Sequence, residues 1–161
     1  MTGLVKEKVE KRAAELRTSK EKAESPTRTV SRTPVRSQSF RGAVKIAANK
    51  RWQRACPVKQ GDHVAIRAQG TWNTWPDGGS SWKSDANGTK FKARKDFPLP
   101  SARQGALIGR IGSKVFVVGT SAQIEVQQDG ELHLMNNDAA RYRPDNKGTI
   151  VVAIEITRKT G

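Results

Sequence analysis

The sequence has one cysteine, no long hydrophobic run and, between residues 25 and 61, no acidic residue. Because Cys56 has no partner in the chain, an intramolecular disulfide is excluded, and we expect the protein to be made in a reducing cytoplasm. The N-terminus lacks the apolar core of a secretory signal, and no stretch is long enough to cross a bilayer. We therefore expect neither a signal peptide nor a membrane span.

The shortage of acidic residues is local. The 161 residues include 30 Lys and Arg against 15 Asp and Glu, which gives a net charge of +15. Residues 1–24 hold seven basic and five acidic residues, residues 25–61 hold nine basic and none acidic, and residues 62–161 hold fourteen basic and ten acidic. Nine cations without an anion indicate a polyanionic partner: nucleic acid, an anionic membrane, or the acidic face of a large assembly.

The first 42 residues are predicted to form a helix followed by an arm. A narrow apolar stripe with helical spacing runs through residues 1–24, and it is too thin to stabilise a helix without a partner surface. Residues 25–42 repeat arginine among Pro, Ser and Thr, a composition that cannot bury enough apolar surface to fold alone. We interpret them as an extended basic arm that binds a large anionic assembly, with a flexible linker as the alternative. The arginines of this arm are Arg28, Arg32, Arg36 and Arg41.

Residues 43–161 show the period of two that is typical of β-strands. Apolar residues alternate in short segments, as at Val64, Ile66 and Ala68, and turn-forming Gly, Asp and Asn separate these segments. The continuous apolar run over residues 115–118 favours a buried strand. The pattern predicts an all-β fold, an antiparallel jelly-roll-like β-sandwich, with a long excursion over residues 76–104 across one end.

An oxygen-rich loop lies between two of the predicted strands, at residues 137–148. Asp138, Asp145 and Asn146 can bring three side-chain oxygens to one point, and a backbone carbonyl between them adds a fourth. Calcium binds about six to eight oxygens of mixed origin, so the loop is a candidate calcium site. The same Pro, Asp and Gly residues also suit a plain turn.

Three segments resemble the PA-I-type galactophilic lectins. Residues 60–72 (QGDHVAIRAQGTW) resemble the strand of that family that reads GD-V-I-A-G-W, residues 105–112 (GALIGRIG) resemble its GAL-KIG strand, and residues 137–148 resemble its ND…NN-G calcium loop. The three occur in order within residues 43–156. The resemblance implies a galactose-binding-type β-sandwich in which sugar hydroxyls complete the shell of a calcium ion at one end.

The resemblance also implies a set of calcium ligands. The side-chain ligands would be Asp138, Asp145 and Asn146, and the carbonyl ligands would be those of Tyr142 and Trp75. Asp145 stands where these lectins usually have Asn, which strengthens the attraction for a cation, whereas Arg141, Arg143 and Lys147 oppose it. The sugar-contacting segment of the family is not recognisable in residues 83–104, so galactose specificity is not implied.

Tryptophans supply further candidates for a carbohydrate site. Trp72 ends an apolar strand and is predicted to lie in the core, whereas Trp75 and Trp82 lie in a loop, where their rings could stack on a sugar or on a base. The carbohydrate-binding candidates are Asp138, Asp145, Asn146, Trp75 and Trp82. A second basic cluster follows at Lys90, Lys92, Arg94 and Lys95, of a kind that is usually a solvated loop.

No catalytic constellation is visible, because His63 and His133 have neither an acid partner nor metal-ligand spacing, and Cys56 lies in no nucleophile motif. We therefore expect a non-enzymatic module, a lectin-like sandwich tethered by its basic arm to a larger assembly. A phage virion surface fits best, with the protein as a decoration or adhesion protein. Two alternatives stay open: a purely structural assembly protein with a decayed sugar site, and a nucleic-acid- or ribosome-associated protein whose arm contacts phosphates.

Overall fold

The structure, a computed structural model, describes residues 36–160, with the side chains of residues 39–158. These residues form two antiparallel β-sheets that share one hydrophobic core, which confirms the predicted all-β sandwich. The predicted helix over residues 1–24 and the first part of the predicted arm, residues 25–35, lie outside the described residues. The strands are β1 (Arg36–Ala47), β2 (Gln53–Val58), β3 (His63–Asn73), β4 (Lys83–Ser84), β5 (Leu107–Ile111), β6 (Lys114–Val117), β7 (Ser121–Glu125), β8 (Gly130–Asn136) and β9 (Lys147–Thr160).

The larger sheet is built around the pairing of β3 with β9. These two strands pair along the whole of β3, from His63 opposite Thr157 to Asn73 opposite Lys147. β1 lies on the other side of β9, and both β4 and β7 pair with the free edge of β3. The smaller sheet has the order β2-β8-β5-β6. The loop between β3 and β4 starts where β3 ends, and the loop between β8 and β9 starts where β8 ends.

The core lies between the sheets, where the predicted alternation places one face of each strand. In β3, Val64, Ile66 and Trp72 are almost completely buried, and in β8 Leu132 and Leu134 face them from the other sheet. Each such side chain contributes roughly 1.5–3 kcal/mol through burial, so the two faces together supply the main favourable term for folding. The prediction that Trp72 belongs to the core is borne out by its 1% exposure.

Gly148 allows β9 to begin close against β3. Its φ is 102°, a left-handed conformation, and a Cβ atom there would lie 2.8 Å from Trp72 Cα and 2.9 Å from Thr71 O. Only glycine fits both the conformation and the space. The loop that ends just before Gly148 is therefore held against the end of β3, beside the segment that carries Trp75.

Two expectations about strands need correction. β1 begins at Arg36, before the predicted sandwich boundary at residue 43, so residues 36–42 belong to an edge strand of the sandwich. The apolar run over residues 115–118 is not a buried strand, since Val117 is 52% exposed and only Val118 is fully buried. The reason is that β6 pairs with β5 alone and forms the edge of its sheet.

Among the residues described, no helix is both long and apolar enough to cross a membrane.

Candidate functional site

A cavity of about 420 Å³ opens at the end of the sandwich where β3 and β8 end. This volume lies within the range of small-ligand sites, roughly 300–1,000 Å³. The cavity brings together residues from three separate parts of the sequence: the turn after β3, the excursion, and the loop between β8 and β9. Its lining residues are Thr74, Trp75, Trp82, Arg94, Gln104, Asp138, Tyr142 and Asp145.

The residues predicted from the sequence to bind calcium and carbohydrate lie at this cavity, except that Asn146 does not line it. Asp138, Tyr142, Asp145, Trp75 and Trp82 line it, whereas Asn146 is buried behind it at 2% exposure. Arg94, Gln104 and Thr74 were not predicted to belong to the site. Arg94 carried a signal as part of a basic cluster, but nothing in the sequence distinguishes it from its lysine neighbours.

Two buried oxygens in this loop have no hydrogen-bond partner. Asp138 is 3% exposed, and its Oδ1 accepts a hydrogen bond from the amide of Ala139 at 2.9 Å, while Oδ2 has no donor. The Asn146 amide donates from Nδ2 to the carbonyl of Ala48 at 3.1 Å, which orients its Oδ1, and that atom also has no donor. Buried acceptors are normally satisfied, so two unsatisfied oxygens from neighbouring ligand candidates fit a bound cation.

Burial raises the pKa of the Asp138 carboxyl above its ordinary value, against the opposing influence of the Asn146 side chain, the Ala139 amide and the positive charge of Arg143. The carboxylate is therefore held in a site that penalises its charge. Such a group is stabilised by a positive ligand, because the ligand compensates the lost hydration.

The cations of the loop oppose a metal less than their number suggests. Arg141 projects outward and forms an ion pair with Asp96, with Nη2 2.8 Å from Oδ2. Arg143 is 7% exposed, donates from Nη2 to the carbonyl of Asp138 at 3.1 Å, and lines a separate small cavity beside Arg51. Its guanidinium fixes the backbone of the loop, and its side chain is not part of the wall of the larger cavity.

The remaining ligand candidates lie at the cavity surface. Asp145 is exposed and ends a short 3₁₀ turn, Arg143–Asp145, that directly follows Tyr142. The carbonyl of Trp75 accepts a hydrogen bond from the amide of Gly78 at 2.8 Å, which leaves its second lone pair for another partner. Around Asp138, one buried carboxylate, one exposed carboxylate, one amide oxygen and backbone carbonyls form the kind of mixed oxygen set that calcium takes.

Within residues 36–160, no three His, Cys, Asp or Glu side chains cluster closely enough to hold a metal. The oxygen set at Asp138 is different, because it relies on amide and carbonyl oxygens in addition to carboxylates.

Aromatic rings form one wall of the cavity. Trp75, 47% exposed, meets Trp82 edge to face with ring centroids 5.4 Å apart, and Trp82 stacks on Phe91 at 4.3 Å. Thr74 holds Trp82 in place, since its amide donates to the carbonyl of Trp82 at 3.0 Å. The wall is thus a supported aromatic surface of the type that packs against the C–H face of a sugar ring.

Asn137 is a positioning residue that the sequence analysis did not identify. It is completely buried, and its side chain exchanges two hydrogen bonds with the backbone of Leu99, both at 3.0 Å, and donates a third to the carbonyl of Arg103. Its own backbone bonds to Gly105 and Ala106. The residue directly before Asp138 therefore fastens the excursion to the oxygen-rich loop.

The predicted anion-binding arginines of the arm are separated by the structure. Arg28 and Arg32 lie outside the described residues, whereas Arg36 and Arg41 belong to β1. Arg41 forms an exposed ion pair with Glu155 of β9, with Nη2 3.1 Å from Oε2. Arg41 is thus engaged on the sheet and does not extend from an arm.

Comparisons with known proteins agree with this fold. No model of a known protein family matches the sequence, and no curated protein matches it. Among solved structures, the chain is similar to one described as the EclA N-terminal domain, a PllA-like lectin, with a TM-score of 0.57 and 19% sequence identity. The similarity covers 73% of this chain and 95% of that one. At this identity the similarity shows a lectin-like fold.

Proposed function

We propose that the sandwich is a non-enzymatic, calcium-dependent carbohydrate-binding domain, and that the cavity between Asp138 and the aromatic wall is its binding site. The observation that carries the proposal is the pair of buried, unsatisfied oxygens, Asp138 Oδ2 and Asn146 Oδ1, beside that cavity. The similarity of the fold to a protein described as a lectin supports the same conclusion.

Each wall of the cavity has a role in this proposal. Asp138, Asp145 and Asn146 would hold calcium with the carbonyls of Tyr142 and Trp75, and the ion would accept sugar hydroxyl oxygens into its shell. Trp75 and Trp82 would cover the apolar face of the sugar. The mixture of fixed polar groups and aromatic surface is what orients a small polar ligand in a concave site.

The proposal is tested by saccharide binding with and without calcium. We expect the full chain to bind saccharides on a glycan array in calcium and to lose that binding in EDTA. Asp138→Asn should abolish binding, because it removes the charge that a divalent ion needs.

The matched control is Asp129→Asn. Asp129 is an exposed aspartate whose Oδ1 accepts a hydrogen bond from the amide of Gln60, and it directly precedes β8 while Asp138 follows that strand. The two positions therefore lie at opposite ends of the sandwich, and the control should bind like the wild type. An array that stays blank in calcium would refute carbohydrate binding and leave only a structural role for the sandwich.

We also propose that the residues before β1 anchor the sandwich to a large anionic assembly, with a phage virion surface as the best candidate. Support comes from the sequence, since residues 1–35 carry nine basic and five acidic residues, and the part of them from residue 25 onward carries Arg28 and Arg32 with no acidic residue. Copurification of the full chain, but not of a chain lacking residues 1–35, with a virion or another particle would test the anchor. If the truncated chain still copurified, the sandwich itself would be the anchor.

A further inference from the structure

Arg94 is a cation in the cavity wall without a carboxylate partner in the described part of the chain. It lines the cavity together with Asp138 and Asp145, yet it takes part in none of the four ion pairs found among the described residues. Its guanidinium carbon lies 5.9 Å from the ring centroid of Tyr142 and 5.6 Å from that of Phe97. Two aromatic rings therefore restrict its position without neutralising its charge.

The surroundings of Arg94 are basic as well. Residues 76–104, the excursion beside the cavity, contain six basic and three acidic residues, a net charge of +3. One of those acids, Asp96, is already paired with Arg141 at 2.8 Å. The excursion side of the cavity therefore carries more positive than negative charge, which favours the approach of anions from that side.

The charge within the cavity wall leads to the same ligand class. Asp138 and Asp145 contribute −2 and Arg94 contributes +1, so the wall alone carries −1. With the calcium ion of the proposed function, the wall would carry +1. A neutral sugar would leave that charge uncompensated, whereas a sugar with one anionic group would balance it.

We propose that the cavity selects acidic saccharides, sugars whose ring carries a carboxylate or a phosphate group, and that Arg94 binds this anionic group. This inference depends on the proposed function. The planar guanidinium can donate two parallel hydrogen bonds to either oxyanion, and its packing against two rings reduces the entropy that binding would cost. The alternative is that Arg94 is only a solvated loop cation, as the neighbouring lysines are.

The test compares matched neutral and acidic sugars. Binding of the full chain is measured by calorimetry in calcium at near-physiological salt, with galactose, glucose and mannose, with their uronic acids, and with their 6-phosphates. We expect at least one acidic sugar to bind about tenfold more tightly than its neutral counterpart, as a charge-assisted contact provides. The uronic acids and the phosphates, compared with each other, identify the oxyanion that the site takes.

The variant pair is Arg94→Gln and Lys95→Gln. Both remove one positive charge from adjacent exposed residues, but only Arg94 lines the cavity. We expect Arg94→Gln to reduce the roughly tenfold ratio of acidic-sugar to neutral-sugar affinity to about one, and Lys95→Gln to retain that ratio.

Three results would overturn the inference. Equal affinity for neutral and acidic sugars would reject it and leave the proposed function standing. A preference for acidic sugars that survives in Arg94→Gln would show that another cation is responsible. If neither neutral nor acidic sugars bind in calcium, both the inference and the proposed carbohydrate site are wrong for these sugars, and the glycan array then decides the proposed function separately.

Discussion

Asp138→Asn should have opposite effects on stability with and without calcium. In the absence of metal, the wild-type chain keeps a buried carboxylate oxygen, Oδ2, with no donor. The variant retains Oδ1 for the amide of Ala139 and replaces Oδ2 by an amide group that can donate to the side chain of Asn146, which lies within reach. An unsatisfied buried group costs about 1–3 kcal/mol, so we expect the variant in EDTA to be more stable by about 1–2 kcal/mol.

Calcium should reverse this order. At a free calcium concentration of about 100 times the dissociation constant, binding stabilises the folded state by about 2.7 kcal/mol. For a domain of this size, 1 kcal/mol changes the melting temperature by about 4 °C, so the wild type should gain roughly 10 °C. The variant should gain almost nothing, because it loses the buried carboxylate of the proposed ligand set, and the wild type should then be the more stable of the two.

Thermal unfolding of the wild type and of Asp138→Asn, each in EDTA and in calcium, gives the four melting temperatures that the comparison needs. Asp129→Asn should behave like the wild type in both conditions, because Asp129 lies at the other end of β8. If Asp138→Asn is less stable than the wild type by the same amount with and without calcium, the carboxylate is a structural group and the metal site is refuted.

Three further predictions concern the ion pair between Asp62 and Arg158, the aromatic wall and the segment before β1. Arg158→Met should lower the free energy of unfolding by about 2–3 kcal/mol at neutral pH, because Asp62 is fully buried and accepts two 2.8 Å bonds from Arg158. The hydrogen bonds from Arg158 hold the pKa of the Asp62 carboxyl below its ordinary value. The stabilisation is therefore complete above pH ~4 and is lost as the pH falls through the lowered pKa. Denaturant titrations from pH ~7 to pH ~2 would measure this loss. Trp82→Ala should weaken saccharide binding about tenfold in calorimetry without changing the stabilisation by calcium. Trp52→Ala, which lies outside the cavity, should leave saccharide binding unchanged. Equal losses of affinity in the two variants would show that the aromatic wall does not contact the saccharide. Removal of residues 1–35 should leave the melting temperature within ~2 °C of the full chain, since β1 stays intact, and a large decrease would show that these residues stabilise the sandwich.

The sequence predicted the sandwich because local patterns determine most of it. Alternation at Val64, Ile66 and Ala68 shows that one face of a strand is buried, and the turn residues show where strands end. Alternation does not show which strand lies at the edge of a sheet, because that depends on pairing between distant segments. The run over residues 115–118 was therefore assigned to the interior, although β6 has a partner on one side only.

The start of the sandwich was misplaced for a related reason. Residues 36–42 look like the arm in composition, with arginine among small polar residues, and nothing local distinguishes them from residues 25–35. What places them in β1 is pairing with β9, more than one hundred positions later, together with the ion pair between Arg41 and Glu155. The useful truncation point is therefore residue 35, because a cut at residue 42 would remove half of an edge strand.

The candidate site was predicted in its residue types but not in its balance of charge. Arg141 and Arg143 are two positions apart, and a sequence-based count treats both as obstacles to a cation. The fold gives them different roles, since Arg141 is paired with Asp96 at the surface and Arg143 supports the carbonyl of Asp138 from a separate cavity. Arg94, by contrast, looked like one cation in a solvated run and is the one that lines the site. Whether a loop repels or attracts an ion is thus decided by where each guanidinium lies in the fold, and Asn137 fastens the excursion that carries Arg94 to this loop.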